Sequence, residues 1–211
     1  MRDSRRGLLC AGALLFLTLS CQLPSQTTGA VAASLADRQA GPAESGAAVP
    51  TQLEAAVLAH LLRYRHRSGL SDGELAGLAR IIVAESKRYQ LDPALVLAVM
   101  HVESRFDTYA VSPKDALGLM QLLPSTGAWL APQVGVDWQG PQTLFDPASN
   151  VRLGVAYLRQ LVDRYDGNIR TALLAYNWGP GRIDRRLRRG TPLPREYAQL
   201  VFAAYSPRGS S

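Results

Sequence analysis

Cysteine and histidine are scarce in this chain of 211 residues, which limits what can stabilise its fold or carry its chemistry. The two cysteines, Cys10 and Cys21, both lie near the N-terminus, so no disulfide framework can hold the remainder together. The three histidines show no ligand spacing with cysteines or acidic residues. We therefore expect no metal site, and no motif indicates another cofactor.

The chain also lacks a hydrophobic run long enough to span a membrane. The longest, residues 8–19, is interrupted only by Thr18 and is preceded by three arginines. Small Ser20 follows it, directly before Cys21. This order predicts a secretory signal peptide over residues 1–20, and hence export of the protein.

The residues around the end of this leader, 18–21, resemble a lipobox, in which the cysteine is lipidated and becomes the mature N-terminus. Leucine is usual where Thr18 stands, so ordinary signal cleavage remains the alternative, which would leave a secreted or free periplasmic protein. Gln22 after the cysteine favours the outer membrane in a Gram-negative cell. We therefore expect a periplasmic lipoprotein anchored to the outer membrane through Cys21.

After the leader, composition and periodicity divide the chain. Residues 21–50 are rich in small and polar residues and read as a lipid-anchored flexible tether. A preceding helix is expected within residues 51–70, then one folded domain over 71–205 and a short tail at 206–211. The domain is predicted to be all-α, because no strand-like alternation of useful length occurs. Helices are expected at 51–67, 71–89, from 93, from 124, and at 147–165, 168–178, 182–189 and 194–205.

Glu103 is the most notable acidic residue. The start signal Asp92-Pro93 fixes the beginning of a helix whose aliphatic residues recur at three- and four-residue spacing, and Glu103 falls on the same stripe. Desolvation there, together with the negative end of the helix dipole, should raise its pKa toward neutrality. Spacing alone leaves two interpretations open, a catalytic acid or an acid paired with Arg105 or Lys114.

Several short motifs in a fixed order favour the first interpretation. The motifs are Glu103-Ser104-Arg105-Phe106, Ala110-Val111-Ser112-Pro113-Lys114, Gly118-Leu119-Met120-Gln121, Pro124, Leu144-Phe145-Asp146-Pro147, the segment 150–158 and Ala175-Tyr176-Asn177. Taken together they resemble the lytic transglycosylase domain of soluble-transglycosylase type, over roughly residues 75–205. The resemblance implies a lysozyme-like fold and cleavage of the β-1,4 bond between N-acetylmuramic acid and N-acetylglucosamine in peptidoglycan.

The chemistry implied by the resemblance needs one carboxyl group. Ordinary glycoside hydrolysis uses two, and no acid near the motifs is an obvious partner for Glu103. In a lytic transglycosylase the muramic acid 6-hydroxyl attacks instead and closes a 1,6-anhydro ring. Glu103 would donate a proton to the leaving oxygen and then accept one from that hydroxyl.

Other site residues follow from the resemblance one by one. Gly118 permits close backbone approach beside the acid, and Gln121 offers its amide to the sugar. Tyr176 is expected to point its hydroxyl at Glu103, with core packing as the alternative. The remaining candidates are Ser104 and Ser112, for sugar binding or local capping, Leu123 in the groove wall, and Asn177, which can equally end a helix.

The sequence departs from the family pattern at four positions, which indicates an altered groove wall. Asp115 replaces a usual glycine, Leu123 a common methionine, and Trp178 a small residue. Near the C-terminus Leu200 stands where a tyrosine is expected. The substrate-contacting hydroxyl of that tyrosine is therefore either missing or supplied by Tyr197.

Removal of the leader, with Arg2, Arg5, Arg6 and Asp3, lowers the formal net charge from +6 to +4, and most of that excess is local. Arg182, Arg185, Arg186 and Arg189 recur at helical spacing and form a basic face. Stem-peptide carboxylates, anionic lipids or plain solvent are the alternatives for what this face meets. Nucleic acid is rejected as a partner, because no reading element accompanies the basic residues and the chain is expected to be exported.

Two other functions stay open beside the transglycosylase. A goose-type lysozyme would share the fold and the single acid but let water attack. A non-catalytic protein would bind peptidoglycan glycan strands without cleaving them.

Overall fold

The computed structural model describes residues 49–205, and no regular strand occurs within them. The all-α prediction is therefore confirmed for this part of the chain. The predictions for the signal peptide, for Cys21, for the tether up to residue 48 and for the tail at 206–211 lie outside it. The α-helices are α1 Gln52–Leu62, α2 Arg65–Ser68, α3 Asp72–Arg88, α4 Pro93–Ser104, α5 Pro124–Val134, α6 Pro147–Arg164, α7 Ile169–Trp178, α8 Pro180–Arg188 and α9 Glu196–Ala204, with a 3-10 helix at Pro141–Phe145.

The helix starts follow the capping chemistry of the sequence. The predicted capping box is present at α3, where Ser71 accepts from the backbone N–H of Glu74 and the Glu74 carboxylate accepts from that of Ser71. Asp92 caps α4 by accepting from the N–H of Ala94 at 2.8 Å. The predicted starts of both helices are confirmed.

The single helix predicted for residues 51–67 is wrong. The chain leaves helical geometry at Tyr64, with φ −112° and ψ 12°, and α2 begins after it. The break brings the Tyr64 ring to 4.3 Å from the ring of Phe106, measured between centroids. A tertiary aromatic contact of this kind outweighs the modest helix preference of the local sequence.

Helix α8 also begins two residues earlier than predicted, at Pro180. Proline suits the first helical position, because it has no N–H to leave unpaired there. Gly179 before it takes φ 82° and turns the chain between α7 and α8. The basic face of α8 therefore follows α7 directly.

Helix α4 is the centre of the main core. Six consecutive residues of this helix, 95–100, are buried. Helix α9 packs along α4 and contacts both of its ends. Tyr205 donates to Asp92 at the start of α4 at 2.7 Å, and Tyr197 reaches Glu103 near the other end.

A second, smaller apolar cluster lies under helix α5 and the 3-10 helix. Tyr157 and Tyr176 pack against both this cluster and the main core. Both also line a groove of about 770 Å³, so this groove follows the boundary between the two clusters. None of the helices between residues 49 and 205 is long and apolar enough to cross a lipid bilayer.

Candidate active site

Glu103 lines a groove of about 770 Å³ from the last turn of α4. The helix ends one residue later, and Arg105 and Phe106 both take positive φ, 52° and 65°. This sharp turn sends the chain away from the helix axis and buries the Phe106 ring. Glu103 is thereby left at the groove surface, on an element whose remaining side chains are mostly buried.

Desolvation raises the pKa of Glu103 from an ordinary 4.5 to about 7, against a smaller lowering by its hydrogen bond from Tyr197. The predicted direction and its main cause are confirmed. At neutral pH the carboxyl group is then divided between its acid and base forms. Such a group can both give and accept a proton.

Two tyrosines stand beside Glu103. Tyr197, on α9, donates its hydroxyl to Glu103 Oε1 at 2.6 Å. Burial first, and then the Glu103 charge, raises the pKa of both Tyr197 and Tyr176 well above the ordinary value. Both hydroxyls therefore remain protonated and act as donors.

The expected hydrogen bond from Tyr176 to Glu103 is not the one observed. Tyr176 donates instead to the backbone carbonyl of Met120, at 2.8 Å. The Tyr176 ring is held by both apolar clusters and by the Tyr157 ring, 5.4 Å away between centroids. Tyr176 thus fixes the loop beside the acid, while Tyr197 fixes the acid.

The 118–121 loop, Gly118-Leu119-Met120-Gln121, is pinned from below by Asn150. This fully buried side chain accepts from the N–H of Met120 at 2.8 Å and donates to the carbonyls of Leu117 and Leu144, at 3.0 and 2.8 Å. Asn150 is the one partner found for the Met120 N–H and the Leu144 carbonyl in this part of the chain, and it is a second partner for the Leu117 carbonyl, which also accepts from the N–H of Leu122 at 3.1 Å. Asn150 therefore fixes the position of the 118–121 loop relative to α6.

Two glycines permit this close approach. A Cβ on Gly118, which has φ 74°, would lie 2.2 Å from the Leu144 carbonyl oxygen and 2.4 Å from Asn150 Nδ2. A Cβ on Gly154 of α6 would lie 2.3 Å from the sulfur of Met120. The close approach at Gly118 is made to α6 and the 3-10 helix beneath the loop, and the role expected for Gly118 in the substrate groove stays a prediction.

Gln121 lines the groove, although its amide N–H groups are already used. Nε2 donates to the carbonyls of Ala110 and Gly118, both at 3.0 Å. The carbonyl oxygen of the Gln121 side chain is the group left to face a ligand. The residue itself takes φ 49°, and the two hydrogen bonds of Nε2 hold its side chain in a fixed direction.

The two serines have different surroundings. Ser104 is buried, donates to the Leu119 carbonyl at 2.8 Å and accepts from the N–H of Phe106 at 3.1 Å. Of the two roles expected for Ser104, these bonds fit local capping. Ser112 lines the groove, and its oxygen accepts from the N–H groups of Lys114 and Ala116.

The remaining predicted residues form the rim. Leu123, Asn177 and Trp178 all line the groove, as does Arg182 from α8. Leu200 is exposed and lies outside the groove lining. Tyr197, three residues earlier on α9, donates its hydroxyl to Glu103 and is not part of the groove lining. That Tyr197 supplies the substrate-contacting hydroxyl stays a prediction.

Among the described residues that line the groove, Glu103 is the one carboxyl group. Lys114 and Arg182 are the two cationic residues in the same lining. Among the described residues, none of Arg105, Lys114 and Arg182 forms an ion pair with Glu103, so the alternative of an acid paired with Arg105 or Lys114 is wrong. The arrangement can protonate a bound ligand without a second acid to assist it.

Sequence reasoning assigned no role to Asn150 or Tyr157. An asparagine in the first turn of a strongly amphipathic helix, on its apolar face, is the signal that could have identified Asn150 as a buried hydrogen-bonding residue. Tyr157 lies on the same face two turns later, and its spacing gave no sign that it would reach a groove.

The fold and site together define an all-α protein of lysozyme-like type with a single carboxyl group in its groove. The sequence model of the Transglycosylase SLT domain matches residues 80–196, just over half of the chain, so this chain belongs to that family. The match contains α4, the 118–121 loop, α6 and α7. It ends at Glu196, directly before Tyr197.

Curated relatives agree with this assignment. The chain is 39% identical over 109 residues to the membrane-bound lytic murein transglycosylase C of Serratia proteamaculans, and 40% identical over 109 residues to that of Edwardsiella ictaluri. In both cases the matched region is 47% of this chain and 30% of the relative. The chain thus spans less than a third of the length of these relatives.

Solved structures give the same fold. An inactive mutant of the lytic transglycosylase Slt from Pseudomonas aeruginosa matches with TM-score 0.55 and 32% identity, over 60% of this chain and 23% of that one. The 70-kDa soluble lytic transglycosylase of Escherichia coli matches with TM-score 0.57 and 20% identity, over 72% and 29%. At that identity the second match shows the fold alone.

Proposed function

We propose that this chain is a peptidoglycan lytic transglycosylase that cleaves the β-1,4 bond between N-acetylmuramic acid and N-acetylglucosamine. The observation that carries the proposal is the single carboxyl group of the groove, Glu103, with its pKa raised to about 7. A two-carboxylate hydrolase mechanism has no second acid in this lining. Family membership gives the same class of activity.

The reaction uses Glu103 twice. Its proton passes to the glycosidic oxygen as the bond from that oxygen to C1 of the muramic acid breaks. The 6-hydroxyl of the same sugar then bonds to C1 and gives its proton to the Glu103 carboxylate. Glu103 ends as it began, no water is consumed, and the product carries a 1,6-anhydro ring.

The neighbouring residues support both steps. Tyr197 holds one carboxylate oxygen, Oε1, and leaves the other available to the substrate. Tyr176 and Asn150 fix the 118–121 loop, so the groove wall beside the reacting bond is rigid. An intramolecular nucleophile benefits from such a wall because its advantage depends on a fixed sugar geometry.

Groove residues with free polar or apolar surface are the proposed substrate contacts. Gln121 presents its side-chain carbonyl, which can accept from an N-acetyl N–H or a sugar hydroxyl. Ser112 and Asn177 offer polar atoms, and Leu123 an apolar edge for a sugar face. Gly118 and Ser104 act indirectly, by shaping the loop and the end of α4.

We also propose that the protein is exported and anchored to the membrane by a lipid on Cys21. The substrate lies outside the cytoplasmic membrane, so the signal sequence is consistent with it. The relatives named above are described as membrane-bound, which agrees with a lipid on Cys21. Incorporation of labelled palmitate into the full chain, but not into a Cys21→Ala variant, tests this part.

The activity is tested with purified sacculi and mass spectrometry of the soluble products. The unmutated chain should release anhydro-muropeptides, and Glu103→Gln should lower the rate at least about 100-fold. Glu85→Gln is the matched control, since Glu85 lies outside the groove beside Arg88 and Arg152. Reducing muropeptides would indicate a lysozyme, and binding without release would indicate a non-catalytic protein.

A further inference from the structure

A second cavity opens beside the groove and is walled by arginine. This arginine cavity has a volume of about 350 Å³. Its walls are Trp178, Arg182, Arg185, Arg186, Arg189 and Thr191. Helix α8 supplies three of the four guanidinium groups, at helical spacing, and the fourth follows at its end.

The arginine cavity has a net positive charge. Within residues 49–205, no salt bridge involves any of its four arginines. Asp184 is the single acid of α8, and it is bound instead by Arg164 and by the Tyr165 hydroxyl on another side of the helix. Four like charges in one concave surface favour an anionic ligand.

Two of the guanidinium groups are held in place before any ligand binds. The Cζ atoms of Arg182 and Arg186 lie 5.3 and 5.5 Å from the centre of the Trp178 ring. Arg186 also donates from Nε to the Pro192 carbonyl at 3.0 Å. Stacking of this kind orients the donors and reduces the entropy lost on binding.

The arginine cavity lies next to the groove. Trp178 and Arg182 line both, so a ligand in the groove can extend into the arginine cavity without leaving the surface. If the groove binds peptidoglycan, as proposed above, the sugar chain is uncharged once the lactyl carboxyl carries its peptide. The carboxylates next to the glycan then belong to the stem peptide.

We infer that the arginine cavity binds the carboxylates of the stem peptide and makes peptide-bearing glycan the preferred substrate. This inference rests on the proposed function. A membrane surface fits the geometry less well, because the exposed apolar residue of α8, Leu187, lines a different cavity together with Arg188. Trp178 is partly buried and packs against the guanidinium groups of Arg182 and Arg186, which leaves less of its ring to insert into lipid.

The test removes charge from the arginine cavity and leaves the groove residues intact. Arg185→Gln/Arg189→Gln changes two of its arginines that do not line the groove. Arg80→Gln/Arg188→Gln removes the same charge outside both cavities and is the matched control. Each pair is made in the full chain carrying Glu103→Gln, and fluorescently labelled stem peptide, released from sacculi by an amidase, is titrated by anisotropy at low salt.

The arginine cavity variant should bind the labelled peptide at least about tenfold more weakly than the Glu103→Gln parent, while the control variant matches the parent. Binding to the parent should weaken as salt is added. Equal binding by the two double variants, or no binding by the parent, would overturn the inference. Preferential binding of the parent to phosphatidylglycerol vesicles, lost in the arginine cavity variant, would overturn it in favour of a membrane surface.

Because this titration needs no turnover, its result is independent of whether the chain cleaves glycan. With active protein, a second measurement compares KM on sacculi and on glycan strands stripped of peptide. The arginine cavity variant should raise KM on the first and leave it unchanged on the second. An equal rise on both would contradict a peptide site.

Discussion

The hydroxyl of Tyr197 lies 2.6 Å from Oε1 of Glu103, although 94 residues separate them in sequence. The contact joins the last helix to the end of the buried helix α4. It also opposes desolvation, because a donor to the carboxylate lowers the pKa that burial raises. Tyr197 is therefore a positioning residue for the proposed acid.

Replacing Tyr197 by Phe should raise the pKa of Glu103 above its present value of about 7, because the variant loses the one group found to lower it. We expect kcat to fall about tenfold through lost orientation, and the alkaline limb of the pH–rate profile to move to higher pH. Carbon NMR of labelled glutamate, assigned with Glu103→Gln, measures the pKa directly.

The control for this variant is Tyr205→Phe. Tyr205 makes a bond of the same chemistry to Asp92 at the far end of α4, outside the groove. It should leave the Glu103 titration and the pH–rate profile unchanged. An unshifted Glu103 titration in Tyr197→Phe would show that the hydrogen bond does not tune the acid.

Glu103→Gln should stabilise the fold at high pH while abolishing cleavage. The folded-state pKa of about 7 lies above the ordinary 4.5, so the unfolded chain loses this proton first and stability falls as pH rises between the two values. Below about pH 4.5 the effect is absent. The variant should gain about 1–3 kcal/mol at pH 8 and nothing at pH 4.

Urea unfolding of the two proteins at both pH values measures this difference. Glu85→Gln, which removes a carboxyl group outside the groove, serves as control and should show no such gain. A gain in stability for Glu103→Gln that is equal at pH 4 and pH 8 would mean that the ionised carboxylate does not destabilise the folded chain.

Asp115→Gly should stabilise the domain. Asp115 takes φ 59°, a left-handed conformation that costs most non-glycine residues about 1 kcal/mol. This explains physically why glycine is usual at that position in the family. Thermal unfolding should show a gain of about 0.5–1 kcal/mol, and a loss instead would indicate that the aspartate side chain makes a stabilising contact in solution.

Asn150→Ala should destabilise the domain by about 3 kcal/mol or more, because it leaves the Met120 N–H and the Leu144 carbonyl buried without a partner and removes one of the two bonds to the Leu117 carbonyl. Asn150→Asp keeps the acceptor for Met120 and loses both donors, so it should also be strongly destabilised. Asn168→Ala removes only an exposed helix cap and should cost about 1 kcal/mol. Similar losses for Asn150→Ala and Asn168→Ala in urea unfolding would contradict the pinning role.

Local signals in the sequence predicted most of the helix starts, since capping residues and N1 prolines act within one turn. They failed at Tyr64, where an aromatic contact from far along the chain broke a helix. The raised pKa of Glu103 was predictable because its burial follows from the periodicity of its own helix.

The partners of Glu103 were not predictable in the same way. Whether Tyr176 or Tyr197 reaches the carboxylate depends on how α9 packs on α4, which no local pattern encodes. Asn150 likewise acquires its role only when a loop 30 residues away settles on α6. The spacing of the arginines on α8 was visible in the sequence. The stacking of two of them on Trp178, and the position of the arginine cavity next to the groove, were not.

Attack by the muramic acid 6-hydroxyl and attack by water leave different oxygen atoms in the product. Digestion of sacculi in water enriched in ¹⁸O, followed by mass spectrometry of the released muropeptides, distinguishes the two reactions of Glu103. With the internal nucleophile, anhydro-ended products without the label are expected, and none with Glu103→Gln. Reducing-ended products carrying one ¹⁸O would identify a hydrolase and refute the internal nucleophile.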